Sequence, residues 1–128
     1  MRVLLDTHVF LLWVNGSPGL SATAMRLLRD PRNELLFSLA SSWEIAIKAS
    51  IGKLRLPHSV STFLLAHLQE NNITQLDIRF PHVAKVAELP FHHRDPFDRL
   101  LAAQALTERL PILSKDRVFS KYGLRRIW

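Results

Sequence analysis

The chain contains no cysteine. That absence excludes disulfides, zinc-thiolate sites, iron-sulfur clusters and cysteine nucleophiles, and it is compatible with a reducing cytosol. Long apolar runs are equally lacking. The first fourteen residues, MRVLLDTHVFLLWV, begin like a secretory leader, with Arg2 ahead of an apolar stretch. Asp6 and His8 interrupt that stretch near its middle, and no small-residue cleavage site follows closely. A cytoplasmic protein with no membrane segment is expected. Acidic residues are also scarce: eleven Asp and Glu stand against seventeen Lys and Arg, giving a formal charge of +6. Such a balance favours polyanionic partners through neutralised phosphates and released counterions.

What is present suffices for one compact unit. At 128 residues and 48% hydrophobic, the chain is long enough to bury roughly two-thirds of the surface that its unfolded form exposes. A single domain spanning residues 1–128 is expected. Apolar runs alternate with helical patterns from end to end. Strands are expected at Arg2 to Leu5, Glu34 to Phe37, Ile73 to Leu76 and Pro111 to Leu113, with a fifth at Leu124 to Trp128. Between them, helices are expected from His8 to Asn15, from a Ser21 cap to Arg29, from Ser41 to Gly52, from a Ser59 cap to Asn71, from Pro81 to Glu88, and from an Asp95 cap to Arg109. This alternation predicts an α/β fold, a three-layer α/β/α sandwich around a mainly parallel sheet.

Four of the few acids, Asp6, Glu44, Asp98 and Asp116, fall where a strand ends or a helix begins. Each has an ordinary structural explanation. In Ser41-Ser42-Trp43-Glu44 the spacing is that of a capping box, and Lys48 lies one turn beyond Glu44 for an i,i+4 ion pair. Asp6 follows Val3-Leu4-Leu5 and can cap the next helix, a role open to Thr7 as well. Asp116 follows Ile112-Leu113-Ser114 in the same way. Asp95 and Asp98 resemble a cap and a first-turn acid answering the helix dipole. The helix pattern separates those two. Three, four, seven and eight positions beyond Asp98 lie Leu101, Ala102, Ala105 and Leu106, so Asp98 opens the core-facing stripe, where a carboxylate is costly unless something receives it. Asp95 is off that stripe; capping is its better assignment, with a supporting site role second.

Taken jointly, capping requires four coincidences, whereas convergence at one end of a parallel sheet requires one. Converging carboxylates raise each other's pKa values unless positive charge is supplied. An oxygen-only cluster suits Mg2+ or Mn2+. Such ions orient and help deprotonate water and neutralise a phosphodiester. Lys48, Arg94, Arg99, Lys115 and Arg117 are candidates for the flanking phosphates. The pair His92-His93 has no matching ligand spacing elsewhere and reads as polar loop surface rather than a metal site.

The segments LLDTH at 4–8, SSWEIAIKASIGKLRL at 41–56, DPFDRLLAAQAL at 95–106 and LSKD at 113–116 together resemble PIN-domain ribonucleases of the VapC-like toxin group. The resemblance covers essentially the whole chain, with the acids in the family's order. It implies a doubly wound sheet built outward from the Asp6 strand and a Mg2+- or Mn2+-dependent endoribonuclease. Asp6, Glu44 and Asp98 match the family's core acids and Asp116 the more variable fourth. Thr7 and Ser114 match hydroxyl positions that can bond phosphate, water or a ligand carboxylate. Where many relatives carry Asn or Ser, this chain has His8. The resemblance also implies a homodimer and a small inhibitory antitoxin, for which Trp13, Phe63, Leu64 and Trp128 are apolar contact candidates. A nonhydrolytic RNA-binding or regulatory module on the same fold is the competing function. A phospho-aspartate enzyme of the haloacid-dehalogenase type is disfavoured, because it needs a second Asp where His8 stands.

Overall fold

The computed structural model describes residues 1–128. Its centre is β1 (Arg2–Leu5), in which Val3, Leu4 and Leu5 are all fully buried. An uninterrupted apolar run is what a strand covered on both faces requires. The remaining strands are β2 (Glu34–Ser38), β3 (Ile73–Leu76), β4 (Ile112–Leu113) and β5 (Arg126–Ile127). They form one wholly parallel sheet in the order β3-β2-β1-β4-β5. The chain therefore builds outward from β1 on one side and then crosses to the other. β1 pairs with β2 through Leu5 and Phe37 and with β4 through Leu5 and Leu113.

Side chains alternate across the sheet. Val3, Leu5, Leu35, Phe37, Ile73 and Leu113 face one core, packed by α1 (Thr7–Val14), α2 (Ala22–Arg29) and α4 (Val60–Glu70), with Ile45 from α3 (Leu39–Ser50). Leu4, Leu36 and Ile112 face a second core, packed by α6 (Pro96–Glu108) and by Phe119 of α7 (Val118–Lys121), with Val86 at the end of α5 (Phe80–Val86) at its edge. This is the three-layer α/β/α sandwich.

Several elements depart from the sequence-based expectation, β5 among them, which covers Arg126–Ile127 rather than Leu124 to Trp128. α3 begins at Leu39 rather than Ser41, because Ser38, the last residue of β2, accepts the Ala40 N–H at 3.0 Å and turns strand directly into helix. α5 starts one residue before Pro81 and ends two before Glu88. α7 was not anticipated; at four residues it is one turn, too short for a periodicity to register. Phe63 and Leu64, candidates for partner contacts, lie in the first core at 2% and 8% exposure. Trp13 and Trp128 are half-buried against the same core, and the Trp13 indole donates to Asn71 Oδ1 at 3.1 Å.

α5 is held to α6 by a buried imidazole. His82, with 0% exposure, accepts the Arg79 N–H on Nδ1 at 3.0 Å. Its proton is thereby on Nε2, which donates to Glu108 Oε1 at 2.7 Å. Removing the ring opens a cavity and leaves both the Arg79 N–H and the Glu108 carboxylate without their partner. His82→Ala is expected to cost about 3 kcal/mol, a fall of roughly 12 °C in melting temperature. Thermal denaturation followed by circular dichroism measures it, and an unchanged midpoint refutes the assigned role.

Candidate active site

The order of the sheet reverses between β1 and β4, so their carboxyl ends form the crevice where open α/β sheets place ligands. Asp6 follows β1 immediately, and its N–H donates to Leu113 O across that crevice at 3.1 Å. Its side chain caps α1: Oδ1 accepts the His8 N–H at 3.4 Å. Oδ2 accepts the Ser114 hydroxyl at 2.6 Å. Ser114 is fully buried and also accepts the Asp116 N–H at 3.0 Å, so one hydroxyl fixes the acid after β1 relative to the acid after β4. Asp116 Oδ1 in turn accepts the Val118 N–H at 2.9 Å, starting α7.

Glu44 is not at a junction. Because α3 begins at Leu39, Glu44 stands well inside the helix, and no capping box with Ser41 forms. Ser41 is instead a buried interior residue that accepts the Thr7 hydroxyl at 2.7 Å. The Thr7 proton is thus committed to protein rather than to a phosphate. The ion pair to Lys48 exists: Nζ donates to Glu44 Oε2 at 2.7 Å. The carboxylate itself is only 6% exposed, and its other oxygen, Oε1, is buried without any partner.

Asp95 caps α6, its Oδ1 accepting the N–H groups of Phe97 at 2.8 Å and Asp98 at 3.3 Å. Asp98 opens the stripe of Leu101, Ala102 and Ala105, all at most 1% exposed, and turns its carboxylate to the crevice. The expectation for the histidines needs correction at His93. His92 lies exposed on the surface, edge-on to Tyr122. His93 points inward, its Nε2 lying 3.0 Å from Asp98 Oδ2 and 3.1 Å from Asp116 Oδ2. The loop from 90 to 94 makes that contact across a sequence distance that no local spacing signals.

Asp6, Glu44, Asp95, Asp98 and Asp116 line a single cleft of about 400 Å³, with Lys48, Lys115, Thr7 and His8 on its walls. Five of the chain's eleven acids are therefore in one place. Burial pushes the Asp98 carboxyl up to about 7, helped by the charges of Asp6 and Asp95 and opposed by His93. Burial also raises Asp6, against the hydrogen bonds from Ser114 and His8. The Glu44 hydrogen bond raises Lys48, keeping it firmly cationic. Arg99 takes no part, contrary to expectation. It is 7% exposed and donates to the carbonyls of Pro90, Val86 and Leu89 at 2.9, 3.1 and 3.3 Å, satisfying the backbone that follows α5. Arg94 and Arg117 are exposed.

Hard carboxylate oxygens, one of them buried and unpartnered, form a donor set suited to a divalent cation. His93, Asp98 and Asp116 each offer one atom within 4.8 Å of the others.

A doubly wound parallel sheet with a carboxylate cleft at its switch point defines a class, and residues 3–124 match the sequence model of the PIN domain. The chain belongs to the PIN domain family. Within it, a 71-residue stretch is 32% identical to Ribonuclease VapC16 of Mycobacterium tuberculosis (strain ATCC 25618 / H37Rv), covering 52% of this chain and 50% of that protein. The chain thus matches about half the length of its curated relative. The fold is shared with VapBC2 of Rickettsia felis, solved bound to a DNA fragment from its promoter (TM-score 0.74, 16% identity, 99% of this chain and 98% of that one). It is also shared with VapBC-5 of Mycobacterium tuberculosis, a member of the VapBC family of toxin-antitoxin systems (TM-score 0.60, 18% identity, 98% and 95%). No helix is long and apolar enough to cross a membrane.

Proposed function

We propose that this chain is a Mg2+- or Mn2+-dependent endoribonuclease that hydrolyses RNA phosphodiester bonds, acting in the cytoplasm as the toxin of a toxin-antitoxin pair. The observation that carries the reading is the crowding of carboxylates in one cleft, where Glu44 Oε1 has no hydrogen-bond partner and burial with neighbouring acids pushes Asp98 up to about 7. Asp6, Glu44 and Asp98 are the residues that would hold the cation, with Asp116 as the fourth. When bound, such an ion supplies an acidified water and neutralises charge developing on a phosphodiester.

The protein's own part is positioning. Ser114 fixes the Asp6 carboxylate, and Thr7 and Ser41 lock α1 to α3, which carries Glu44. Lys48, tethered by Glu44, and Lys115 set positive charge on the cleft wall, where a phosphate flanking the scissile bond can be held. With five acids and two lysines lining the cleft, six acids remain elsewhere (11 − 5) against fifteen Lys and Arg (17 − 2). That leaves a surface suited to a longer stretch of RNA backbone. The VapBC relatives support a small antitoxin as partner. Exposed Trp43, Phe80, Val83 and Phe91, together with the half-buried Trp13 and Trp128 but not the buried Phe63 and Leu64, supply apolar surface for it and for a second copy of the chain.

The test is incubation of the purified chain with total RNA. Cleavage is expected with Mg2+ or Mn2+, and none with excess EDTA or in Asp6→Asn, whose fold survives because an amide oxygen still accepts from His8 N–H or the Ser114 hydroxyl. Cleavage persisting in EDTA would rule the reading out. Salt-sensitive RNA binding without any metal-dependent product would favour the nonhydrolytic module.

A further inference from the structure

His93 has a defined place in this cleft, and its hydrogen bonds decide what it does there. The loop that carries it is pinned at several points: the His93 N–H donates to the Tyr122 hydroxyl at 2.9 Å, and Arg99 holds the Pro90 carbonyl. The ring is pinned separately. The Asp95 backbone N–H lies 3.1 Å from His93 Nδ1. A backbone N–H can only donate, so the Nδ1 lone pair is taken and the single proton of the neutral ring is on Nε2. That nitrogen donates to Asp116 Oδ2 at 3.1 Å and lies 3.0 Å from Asp98 Oδ2.

We propose that His93 is a positioning residue that presents an Nε2–H to Asp116 and Asp98 and is not itself a ligand of any cation held in the cleft. By atom count, His93, Asp98 and Asp116 pass for a metal-binding trio. Ligation through imidazole needs a free lone pair, however, and neither nitrogen has one while Asp95 N–H occupies Nδ1. What the ring can do is orient. Asp98 belongs to α6 and Asp116 to the segment after β4, and a single N–H between their carboxylates fixes one element against the other. Hydrogen-bonded partners behind ligating groups have this role in many metal centres. The proposal rests on the reading of Asp98 and Asp116 as cation-holding residues.

Two measurements on the full chain test it, and neither uses RNA. Long-range proton-nitrogen correlation spectra of the 15N-labelled protein, with His93 identified by its loss in His93→Gln, report which ring nitrogen carries the proton. The Nε2–H pattern is expected without metal and unchanged when Mg2+ is added to saturation. An Nδ1–H pattern, or a doubly protonated ring, in either state overturns the assignment. Calorimetry then compares Mn2+ affinity in His93→Gln, whose side-chain amide can place an N–H near the Nε2 position, with His93→Ala. Affinity is expected to fall about tenfold or more in His93→Ala and by less than about threefold in His93→Gln. Equal losses in both variants, or none in either, overturn the donor role. A wild-type protein that binds Mn2+ but leaves RNA uncut would refute the nuclease reading and leave this one standing.

Discussion

Asp98→Asn is expected to abolish RNA hydrolysis and at the same time to stabilise the metal-free protein. The two effects have one cause. The carboxyl is pushed up to about 7 by burial and by the charges of Asp6 and Asp95, whereas in the unfolded chain it ionises near 3.8. Between those values the native state retains a proton that the unfolded state has released. Stability therefore falls as pH rises from about 4 to about 7, and the penalty is complete above that. An uncharged Asn avoids it. Allowing for the lost contact between Asp98 and His93, the gain at about pH 8 in EDTA is about 2 kcal/mol, or roughly 8 °C in melting temperature. At about pH 5 the gain is smaller, because native Asp98 is then mostly neutral. Hydrolysis should fall by about 10³-fold or more, the equivalent of several kcal/mol of transition-state stabilisation. Melting curves of both proteins at the two pH values, alongside an RNA cleavage assay, measure this. A variant less stable than wild type at the higher pH would show that Asp98 is a structural acid.

Capping and site membership, which compete when each acid is considered alone, are not alternatives in the folded protein. A carboxylate has two oxygens, and several acids of the cleft divide them. Asp6 spends Oδ1 on the His8 N–H and turns Oδ2 to Ser114; Asp116 spends Oδ1 on the Val118 N–H and turns Oδ2 to His93. The sequence could reveal where these acids fall relative to strands and helices, because apolar runs and helix starts are local signals. It could not reveal that one hydroxyl, Ser114, would serve two of them.

Legibility failed where local chemistry was ambiguous or contacts were distant. The strand β1 and the stripe behind Asp98 were readable because burial leaves a periodicity in the residues themselves. The expected start of α3 lies two residues too late because Ser38, Ser41 and Ser42 are all acceptable caps. Only the strand register, Ser38 against Leu76, brings the chain to its turn at Ser38. Arg99 reads as a candidate for a flanking phosphate because nothing nearby in sequence announces the carbonyls it satisfies. His93 reads as surface because Asp116 is 23 residues away and Asp98, the nearer contact, stands across the start of α6 at a spacing that no helix or strand period joins.

Saturating Mg2+ should raise the melting temperature strongly at about pH 8 and hardly at all at about pH 5. A ligand that binds only the native state at about a hundred times its dissociation constant adds about 2.7 kcal/mol, here roughly 10 °C. Two pH units below the Asp98 value of about 7, the proton on that carboxyl must leave before the oxygen can ligate. Apparent affinity then falls about tenfold per unit, or about a hundredfold in all. At the same Mg2+ concentration the stabilisation shrinks to under about 1 kcal/mol. The sign follows from proton release on binding: affinity rises with pH up to about 7 and levels off above it. In Asp98→Asn the pH dependence of the Mg2+ effect between these limits should disappear along with most of the effect itself. Scanning melting temperature against Mg2+ concentration at the two pH values gives both numbers. An Mg2+ effect equal at the two pH values would mean that the cation binds away from Asp98. With the effect as expected, an acid that weakens the empty fold is also one whose charge the cation must meet, so metal-free instability and metal binding come from the same carboxylate.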